Sequence, residues 1–414
     1  MKKTLVIKKA KGTSLDKVIG EFINGIKNDD EFKKDLNYIK EKEEELKKFI
    51  KEGKTKVSKN KNQLVVLRKW NSYTPVLPPK REDYSSKGGG YFIRFDKIGI
   101  VVDPGYNFIE NFLKSGFKLD DIDYIFISHA HNDHTVELEG IFSLLYKRNK
   151  EEKIKKVKKV NLYMNLGAFK KFSGYFDLSK PDEKSFIENI IILNKHQVVR
   201  LNNKIDVFIC QTQHHEMITK EYALGFVFSF TLSNNEKRII KFTCDTGWND
   251  EIEKKNKEKA EEFGFDAIDI LVSHIGSIKE KELKYDGTKK MNKNKNSFYE
   301  NHLGLIGTAA SLHFWRPKVF LISEFGEEMN AIRDKIAKKI FDSFKIPTFA
   351  TDLNFKIDFE CLDVFCFKNK KFYNYKDIET RYDGKEQLYY LEKNSLSEVE
   401  RKEKSILGTS IKPF

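Results

Sequence analysis

The apolar positions divide the chain into a helical beginning and a longer region in which strands and helices alternate. Apolar residues in 15–26 and again in 32–50 recur with the 3.6-residue period of an amphipathic helix. Thr13-Ser14 precedes the first stripe and can cap a helix. The second helix is expected to start near Asp29-Asp30, and its opposite face is the charge run EKEEELKK, typical of a solvated surface. We therefore predict a helical leader over residues 1–60.

From about residue 63 the helical period gives way to short apolar runs separated by glycine- and proline-containing turns. The runs that predict strands are residues 64–67, 91–95, 98–102, 124–128, 161–164, 205–213, 223–232, 238–244, 268–273, 319–323, 355–359 and 364–367. Helices are predicted over residues 107–115, 136–147 and 303–313. The Lys- and Asn-rich segment 279–300 predicts a surface loop. Strands that alternate with helices indicate a chain of mixed α and β structure.

Composition excludes several classes of protein. Of 414 residues, 39% are hydrophobic, which is too many for a disordered chain and enough for a sizeable core. No apolar run approaches the roughly 20 residues of a membrane helix, and the apolar stretch near the N-terminus is too short for a secretory signal. The four cysteines are scattered, which does not indicate a disulfide scaffold. We expect a soluble cytoplasmic protein with no membrane partner.

The net charge of +14, from 76 basic and 62 acidic residues, would attract phosphate-rich partners. Nearly all the basic residues are lysine, however, and the chain is also rich in Asn, Ile, Phe and Tyr. That composition is typical of proteins from AT-rich genomes whatever their function. The charge alone therefore does not identify a nucleic-acid-binding protein.

The strongest chemical signal is the sequence HAHNDH, which directly follows the apolar run YIFIS. It places His129, His131, Asp133 and His134 within six residues. Imidazole nitrogens and carboxylate oxygens are donors suited to Zn, Fe or Mn. At the end of a strand, the first two histidines can face one metal while the aspartate and the last histidine face a second. The sequence therefore predicts a metal site at this position.

With this motif the chain resembles the metallo-β-lactamase-fold hydrolases, whose hallmark is HxHxDH after a strand. Asp103 in VVDPG resembles the aspartate that supports the metal-binding loop, and Asp245 in FTCDTG resembles the aspartate that bridges two metals. The resemblance spans roughly residues 64–345. It implies an α/β (α+β) fold class, an αββα four-layer sandwich with an N-terminal helical extension. On this basis we expect a catalytic domain over 61–349 and a β-rich extension over 350–414 that completes or flanks the sandwich.

The resemblance leaves two ligand positions open. The third ligand of the first metal is His214 or His215. Because strand alternation puts these two side chains on opposite faces, we expect only one of them to bind. We favour His214 as the ligand, with His215 supporting the ligands from behind. The last ligand of the second metal is expected after the strand at 319–323, where the family has histidine and this chain has Glu324. Either Glu324 binds the metal as an oxygen ligand, or His302 reaches in from the start of a helix.

Within the superfamily, the order of motifs is similar to that of ribonuclease Z-like phosphodiesterases. In those enzymes a glutamate pairs with a histidine that protonates the leaving group. His274 occupies the place of the glutamate and His302 that of the histidine. The resemblance therefore implies His302 as the general acid, oriented by His274. We interpret the remaining histidines, His196 and His313, as structural.

The resemblance implies two divalent cations, with zinc favoured and manganese or iron as alternatives. A hydroxide that bridges the cations would be the nucleophile, and Asp133 would help to deprotonate it. We expect a phosphodiester substrate (a nucleotide, an oligonucleotide, or RNA or DNA), with polar residues of loop 70–74 lining the cleft. One alternative is a lactonase or amidase that acts on a small cyclic ester or amide, and another is a redox enzyme with iron. A further alternative is a partner-regulated effector, associated with bacterial defence, whose residues 1–60 bind another protein.

Overall fold

A computed structural model describes residues 14–51, 53–55, 62–69, 88–150, 156–176, 185–216, 222–265, 267–285, 301–366 and 371–374. Two sequence predictions, for the polar loop 70–74 and for most of the Lys- and Asn-rich loop, fall outside these residues. The chain divides into two compact units. One comprises Met1–Gly53 with Lys150–Lys155, and the other comprises Lys54–Asn149 with Lys156–Phe414.

The smaller unit contains the two predicted leader helices, α1 (Leu15–Lys27) and α2 (Asp30–Lys51). Ser14 caps α1, because its side-chain oxygen accepts a hydrogen bond from the backbone N–H of Lys17 at 3.4 Å. No residue of α1 is buried, and large apolar side chains are exposed along both helices, such as Ile39 at 48%. A partner-binding role for this segment stays a prediction.

The larger unit is built on sixteen described strands and eight described helices. The strands are β1 (Gln63–Val66), β2 (Tyr91–Phe95), β3 (Ile98–Val102), β4 (Tyr124–Ile127), β5 (Val160–Met164), β6 (Ile187–Ile192), β7 (Val198–Asn202), β8 (Ile205–His215), β9 (Tyr222–Thr231), β10 (Lys237–Phe242), β11 (Ile270–Ile275), β12 (Val319–Phe325), β13 (Thr348–Ala350), β14 (Phe355–Asp358), β15 (Asp363–Cys366) and β16 (Lys371–Asn374). The helices are α3 (Phe108–Lys114), α4 (Asn132–Thr135), α5 (Leu138–Lys150), α6 (Leu166–Phe176), α7 (Asp250–Glu262), α8 (Glu280–Leu283), α9 (Leu305–Trp315) and α10 (Arg333–Phe344). Two short 3₁₀ turns, Leu119–Asp121 and Glu327–Ile332, complete the described elements.

The strands form two sheets. The first has nine strands in the order β16-β15-β14-β1-β2-β3-β4-β5-β6, and the second has seven in the order β13-β12-β11-β10-β9-β8-β7. Strands β14 to β16, from the C-terminal part of the chain, extend the first sheet beyond β1. The half of the first sheet from β3 to β6 is parallel, as is the half of the second sheet from β10 to β13.

The alternation of side chains along each strand produces four layers. In β1, Leu64 and Val66 belong to an apolar core that both sheets share, whereas Val65 belongs to a second core with Phe112 of α3 and Ile141 of α5. A third core covers the outer face of the second sheet with residues of α7, α9 and α10. Because both faces of the sheets are buried, the strands read as continuous apolar runs. The layer order is therefore helix, sheet, sheet, helix.

This topology gathers strand ends at one edge of the sandwich. Strands β8, β10, β11 and β12 all run in the same direction, so their carboxyl ends share an edge of the second sheet. The predicted metal ligands of the second sheet lie in the last residues of these strands or in the loops that follow them, and the others lie after β4 of the first sheet. Among the described helices, none has the length and apolar character needed to span a bilayer.

Candidate metal centre

The HAHNDH sequence begins in the turn after β4, and its last three residues belong to the short helix α4. Asp103, in the turn after β3, supports this loop, since its two carboxylate oxygens accept hydrogen bonds from the N–H and the hydroxyl of Ser128 at 2.8 and 2.7 Å. The backbone of Asp103 has a left-handed conformation (φ 50°), which costs energy for a residue with a side chain. A Cβ on Gly105 would lie 1.8 Å from the carbonyl oxygen of Asp133, so only glycine permits this close approach.

Two further side chains hold the same loop: Glu216, which directly follows β8, and Lys171 of α6. Glu216 is buried and accepts a hydrogen bond from the N–H of Ala130 at 2.8 Å. Lys171 of α6 donates to the carbonyl of Ala130 at 2.9 Å and to the hydroxyl of Thr135 at 2.7 Å. The positions of the histidines in the loop are therefore fixed by contacts made outside it.

Four predicted ligands form the first donor group: His129, His131, His214 and Asp245. Their candidate ligand atoms all lie within 4.8 Å of one another. Nε2 of His214 is 3.3 Å from Nδ1 of His131, and Nε2 of His129 is 3.7 Å from the Oδ2 atom of Asp245. Two donors at zinc-bond distance from one tetrahedral ion are separated by about 3.4 Å. The spacing of this group therefore suits one cation.

The structure places His214 and His215 differently. His214 is buried beside His129 and His131, and its Nδ1 lies 2.8 Å from the backbone carbonyl of Asn301, which orients Nε2 toward the donor group. His215, the next residue of β8, is exposed and is not part of the group. The favoured alternative, His214, is the one that lies beside the other predicted ligands.

Asp133, His134 and Asp245 form a second donor group that adjoins the first. Nε2 of His134 lies 3.3 Å from Oδ2 of Asp133 and 3.4 Å from Oδ2 of Asp245. Nδ1 of His134 is 3.0 Å from Asp103, the arrangement in which a carboxylate orients a metal-binding imidazole. Burial acts to lower the pKa of His134, but the neighbouring carboxylates raise it well above its ordinary value. Asp245 belongs to both groups, as expected of a bridging ligand.

His302 and His274 lie on the other side of Asp245 and form a third donor group with it. Nδ1 of His302 is 3.8 Å from Oδ2 of Asp245, and the His302 side chain is 22% exposed. The rings of His274 and His302 are perpendicular, with centroids 5.3 Å apart. Nε2 of His274 accepts a hydrogen bond from the N–H of Leu303 at 3.0 Å, so His274 fixes the turn that carries His302.

Glu324, the alternative to His302 as a metal ligand, lies in none of the three donor groups. It is buried at the end of β12, where Oε1 accepts a hydrogen bond from the Tyr91 hydroxyl at 2.6 Å. Its Oε2 pairs with the guanidinium of Arg68 at 3.2 Å. Glu324 is not a surface carboxylate, because only 3% of the residue is exposed.

The protonation states of the buried groups suit metal binding. Burial acts to raise the pKa of Asp245, but His134 and His302 hold it well below its ordinary value. Burial, with a contribution from His134, lowers the pKa of His129 well below its ordinary value. Burial also lowers the pKa of His214 to about 4. Metals bind the charged carboxylate and the neutral imidazole, which are the forms favoured for Asp245, His129 and His214. His134 differs, because its raised pKa favours the protonated ring, which must lose a proton when a cation binds.

Several buried polar atoms of these groups lack a hydrogen bond in the described part of the chain. They include Nε2 of His129, Nε2 of His134 and Oδ1 of Asp245. Buried polar atoms in folded proteins nearly always have a partner. A pair of divalent cations would supply one for each of these atoms, so the residues fit the metals that the sequence implies.

The fold is shared with a solved structure. The metallo-beta-lactamase fold protein YhfI from Bacillus subtilis superposes with a TM-score of 0.50 at 12% identity, over 71% of this chain and 98% of that chain. The chain has the metallo-β-lactamase fold. The predicted αββα sandwich is thereby confirmed. The human short form of tRNase Z, ELAC1, superposes with a TM-score of 0.44 at 14% identity, over 64% of this chain and 93% of that chain.

Sequence comparisons match parts of this metallo-β-lactamase-fold chain. The family described as "Anti-Pycsar protein Apyc1" matches residues 89–274, less than half of the chain. Ribonuclease Z from Thermobifida fusca is 34% identical over 66 residues, which is 16% of this chain. The match spans 20% of that relative's length.

Sequence reasoning missed the residues that hold the ligands from a distance. Arg68 and Tyr91 bind Glu324, Ser128 supports the HAHNDH loop, and the carbonyl of Asn301 orients His214. Arg68 offered one local signal, because it is a charged residue directly after the apolar run LVVL. The other contacts join residues that are distant in sequence and carry no local pattern.

Proposed function

We propose that this chain is a metal-dependent hydrolase that cleaves phosphodiesters. The observation that carries the proposal is the convergence of three donor groups on one buried carboxylate, Asp245. A donor set that mixes imidazole and carboxylate and shares one carboxylate is the kind that holds two neighbouring cations. His302, partly exposed at the edge of this set, offers a proton donor or acceptor to a bound molecule.

In this proposal His129, His131 and His214 would hold the first cation, and Asp133 and His134 would hold the second. Asp245 would contribute to both positions, because it belongs to both donor groups. Bound divalent cations would supply Lewis acidity and would activate a water molecule for attack at neutral pH. Zinc suits this donor set best, and manganese and iron remain chemically compatible.

The chain's own residues supply the proton transfers. Asp133, whose pKa stays below its ordinary value because His134 outweighs the effect of burial, is charged at neutral pH and can orient water and accept its proton. His302 would protonate the departing alkoxide, a contribution of about 10²–10⁴-fold in rate. His274 acts as a positioning residue, because its hydrogen bond to Leu303 holds the turn on which His302 lies.

One match supports a phosphodiester as the substrate, and a second covers the proposed metal-binding motif. The matched relative from Thermobifida fusca is a ribonuclease Z, whose name describes action on RNA, and the HxHxDH region lies within the residues matched by the Apyc1 family. The name of that family describes a protein that acts against Pycsar. A nucleotide, an oligonucleotide or a cyclic nucleotide fits the proposal as well as a long RNA does.

The test is turnover by protein loaded with Zn²⁺ or Mn²⁺. We expect hydrolysis of bis(4-nitrophenyl) phosphate to exceed hydrolysis of an aryl lactone. A panel of a 3′,5′-cyclic nucleotide, a short oligonucleotide and a structured RNA then separates the substrate classes. Turnover of the lactone alone would favour the lactonase alternative, and no turnover of either ester would favour a partner-dependent effector.

Neighbouring histidines provide the matched control. His214→Ala should lower phosphodiester turnover by at least about 10²-fold and reduce the bound metal, because it removes a ligand of the first cation. His215→Ala changes the adjacent, exposed residue of the same strand and should retain both properties. Equal losses in the two variants would contradict the ligand assignment.

A further inference from the structure

A buried ion pair lies beside the proposed metal centre and belongs to none of its donor groups. We call Arg68, Tyr91 and Glu324 the Arg68 cluster. NH2 of Arg68 is 3.2 Å from Oε2 of Glu324, and the Tyr91 hydroxyl donates to the other carboxylate oxygen at 2.6 Å. The Tyr91 hydroxyl also lies 2.5 Å from the hydroxyl of Ser323. Oε1 of Glu324 is therefore hydrogen-bonded, whereas Oε2 has an ion-pair partner in Arg68 but no hydrogen bond in the described part of the chain.

The Arg68 cluster is almost completely shielded from solvent. The three residues are 1%, 3% and 3% exposed for Arg68, Tyr91 and Glu324, respectively. A charge buried this deeply is tolerated only when it is paired, and removal of one partner leaves a costly isolated charge. Arg68 is thus unsuited to contact a substrate directly, and its partner is a carboxylate inside the protein.

The position of Glu324 relates this ion pair to the metal centre. Glu324 is paired in register with His274 of the neighbouring parallel strand β11, so both lie at the edge that carries the donor groups. Burial acts to lower the pKa of Arg68, but nearby negative charges, that of Glu324 first among them, hold it above its ordinary value. Asp133 and Asp245 contribute to this rise, so the guanidinium is within electrostatic range of two proposed metal ligands.

A carboxylate at the end of β12 would ordinarily favour a nearby cation in two ways, as a ligand and as a negative charge. In this chain Arg68 balances the charge of Glu324 through their ion pair, and the Tyr91 hydroxyl donates to Oε1. We propose that the Arg68 cluster withholds Glu324 from the second cation, so that the second cation binds more weakly than the first. This inference rests on the metal centre of the proposed function, and it names the residues that set the affinity of one of its two positions.

The test is titration of the metal-free full-length protein with Zn²⁺ against a competing chelator, with bound metal measured by mass spectrometry. Wild-type protein should bind two Zn²⁺ ions in steps that differ by at least about tenfold in affinity. Arg68→Met should tighten the weaker step by roughly tenfold or more, because it frees the Glu324 carboxylate. Glu324→Gln should weaken the same step, because it leaves the positive charge of Arg68 uncompensated.

Opposite shifts in the two variants separate this role from simple damage to the fold. The double variant R68M/E324M removes both charges without leaving either one buried alone, so the weaker step should stay within about threefold of wild type. Tyr91→Phe removes only one of the contacts to Glu324, keeps the aromatic packing, and should tighten the weaker step by a smaller factor. It therefore provides a test if Arg68→Met does not fold.

The ion pair of Arg94 and Asp121 provides the matched control. NH2 of Arg94 is 3.1 Å from Oδ1 of Asp121, both residues are buried, and neither belongs to the donor groups. Arg94→Met should leave both binding steps unchanged. Identical titrations of wild type, Arg68→Met and Glu324→Gln would overturn the inference, as would equal effects on both steps. These outcomes are independent of turnover: failure to hydrolyse phosphodiesters with two-step binding intact would refute the proposed function alone.

Discussion

At the scale of single residues, the geometry of His302 is compatible with two functions, that of a metal ligand and that of a proton donor. Its Nδ1 faces Asp245 at 3.8 Å, as a ligand would, yet its side chain is partly exposed, as a proton donor must be. The turn on which it lies is held by hydrogen bonds at Asn301 and Leu303, so its position does not depend on the cations alone. A substitution can distinguish the two roles, because loss of a metal ligand lowers the metal content, whereas loss of a proton donor lowers only the rate of cleavage.

We predict that His302→Ala keeps both cations and slows cleavage of a substrate with an alkyl alkoxide leaving group by about 10²–10⁴-fold. Cleavage of bis(4-nitrophenyl) phosphate should fall much less, because nitrophenolate leaves without a proton. The measurements are turnover with both substrates and metal content by mass spectrometry. Loss of one cation, with equal losses on the two substrates, would make His302 a metal ligand and contradict the general-acid role.

At the scale of elements, Asp352 connects three parts of the larger unit. Its carboxylate lies 3.0 Å from Nζ of Lys69, just after β1, and 3.4 Å from the guanidinium of Arg333 at the start of α10. Burial acts to raise the pKa of Asp352, but the charges of Lys69 and Arg333 lower it. A carboxylate whose pKa is lower in the folded state stabilises the fold above its unfolded pKa of about 3.9, and this contribution is lost as the pH falls through the folded-state value.

We therefore predict that Asp352→Asn lowers the free energy of unfolding by about 1–3 kcal/mol at pH 7. The difference from wild type should shrink as the pH falls below about 3.9. Urea unfolding of both proteins at pH 7 and at several lower pH values measures this difference in the free energy of unfolding. Asp342→Asn, which alters an exposed carboxylate of α10 paired with Lys338, is the control and should change stability less. A difference between Asp352→Asn and wild type that does not vary with pH would contradict this account.

The elements that could be predicted from sequence are those whose pattern is set locally. Strands such as β2 and β3 were predicted with their observed bounds, because buried strands read as apolar runs between glycine turns. Helix α7 was missed, since its sequence DEIEKKNKEKAEE has few apolar positions and its buried contacts come from residues such as Glu253 and Asn256. Those polar side chains find partners only after β8 and α9 have assembled around them.

In the candidate site, too, the residues that could be predicted are those whose pattern is local. The HAHNDH loop is visible in sequence because six adjacent residues contain most of its chemistry, and strand alternation indicated that only one of His214 and His215 faces the site. The surroundings of Glu324 were not predictable, because its partners Arg68 and Tyr91 are more than 200 residues away in the chain. Pairing between distant residues follows from the topology of the two sheets and leaves no periodic signal in the sequence.

At the scale of the whole molecule, the proposed cations would join the two sheets. The HAHNDH loop follows β4 of the first sheet. In the second sheet, His214 lies near the end of β8, and Asp245 lies in the loop after β10. The sheets also share an apolar core, and the Tyr91 hydroxyl of the first sheet donates to Glu324 of the second. Binding that occurs in the folded state alone adds RT ln(1 + [L]/Kd) to its stability, about 2.7 kcal/mol when the free cation is at a hundredfold excess over Kd.

We predict that removal of metal by a chelator lowers the midpoint of thermal unfolding and that added Zn²⁺ restores it. Asp245→Ala should abolish most of this response, because the shared carboxylate contributes to both cation positions. Asp245→Ala should also unfold near the temperature of metal-free wild type, since a buried negative charge is lost together with the cations that it binds. Calorimetry of wild type and variant, each with chelator and with Zn²⁺, measures all four midpoints. If the midpoint of wild type did not respond to the cation, the proposed cross-link between the sheets would be wrong, because ions held by donors from both sheets must stabilise the assembled sandwich over the unfolded chain.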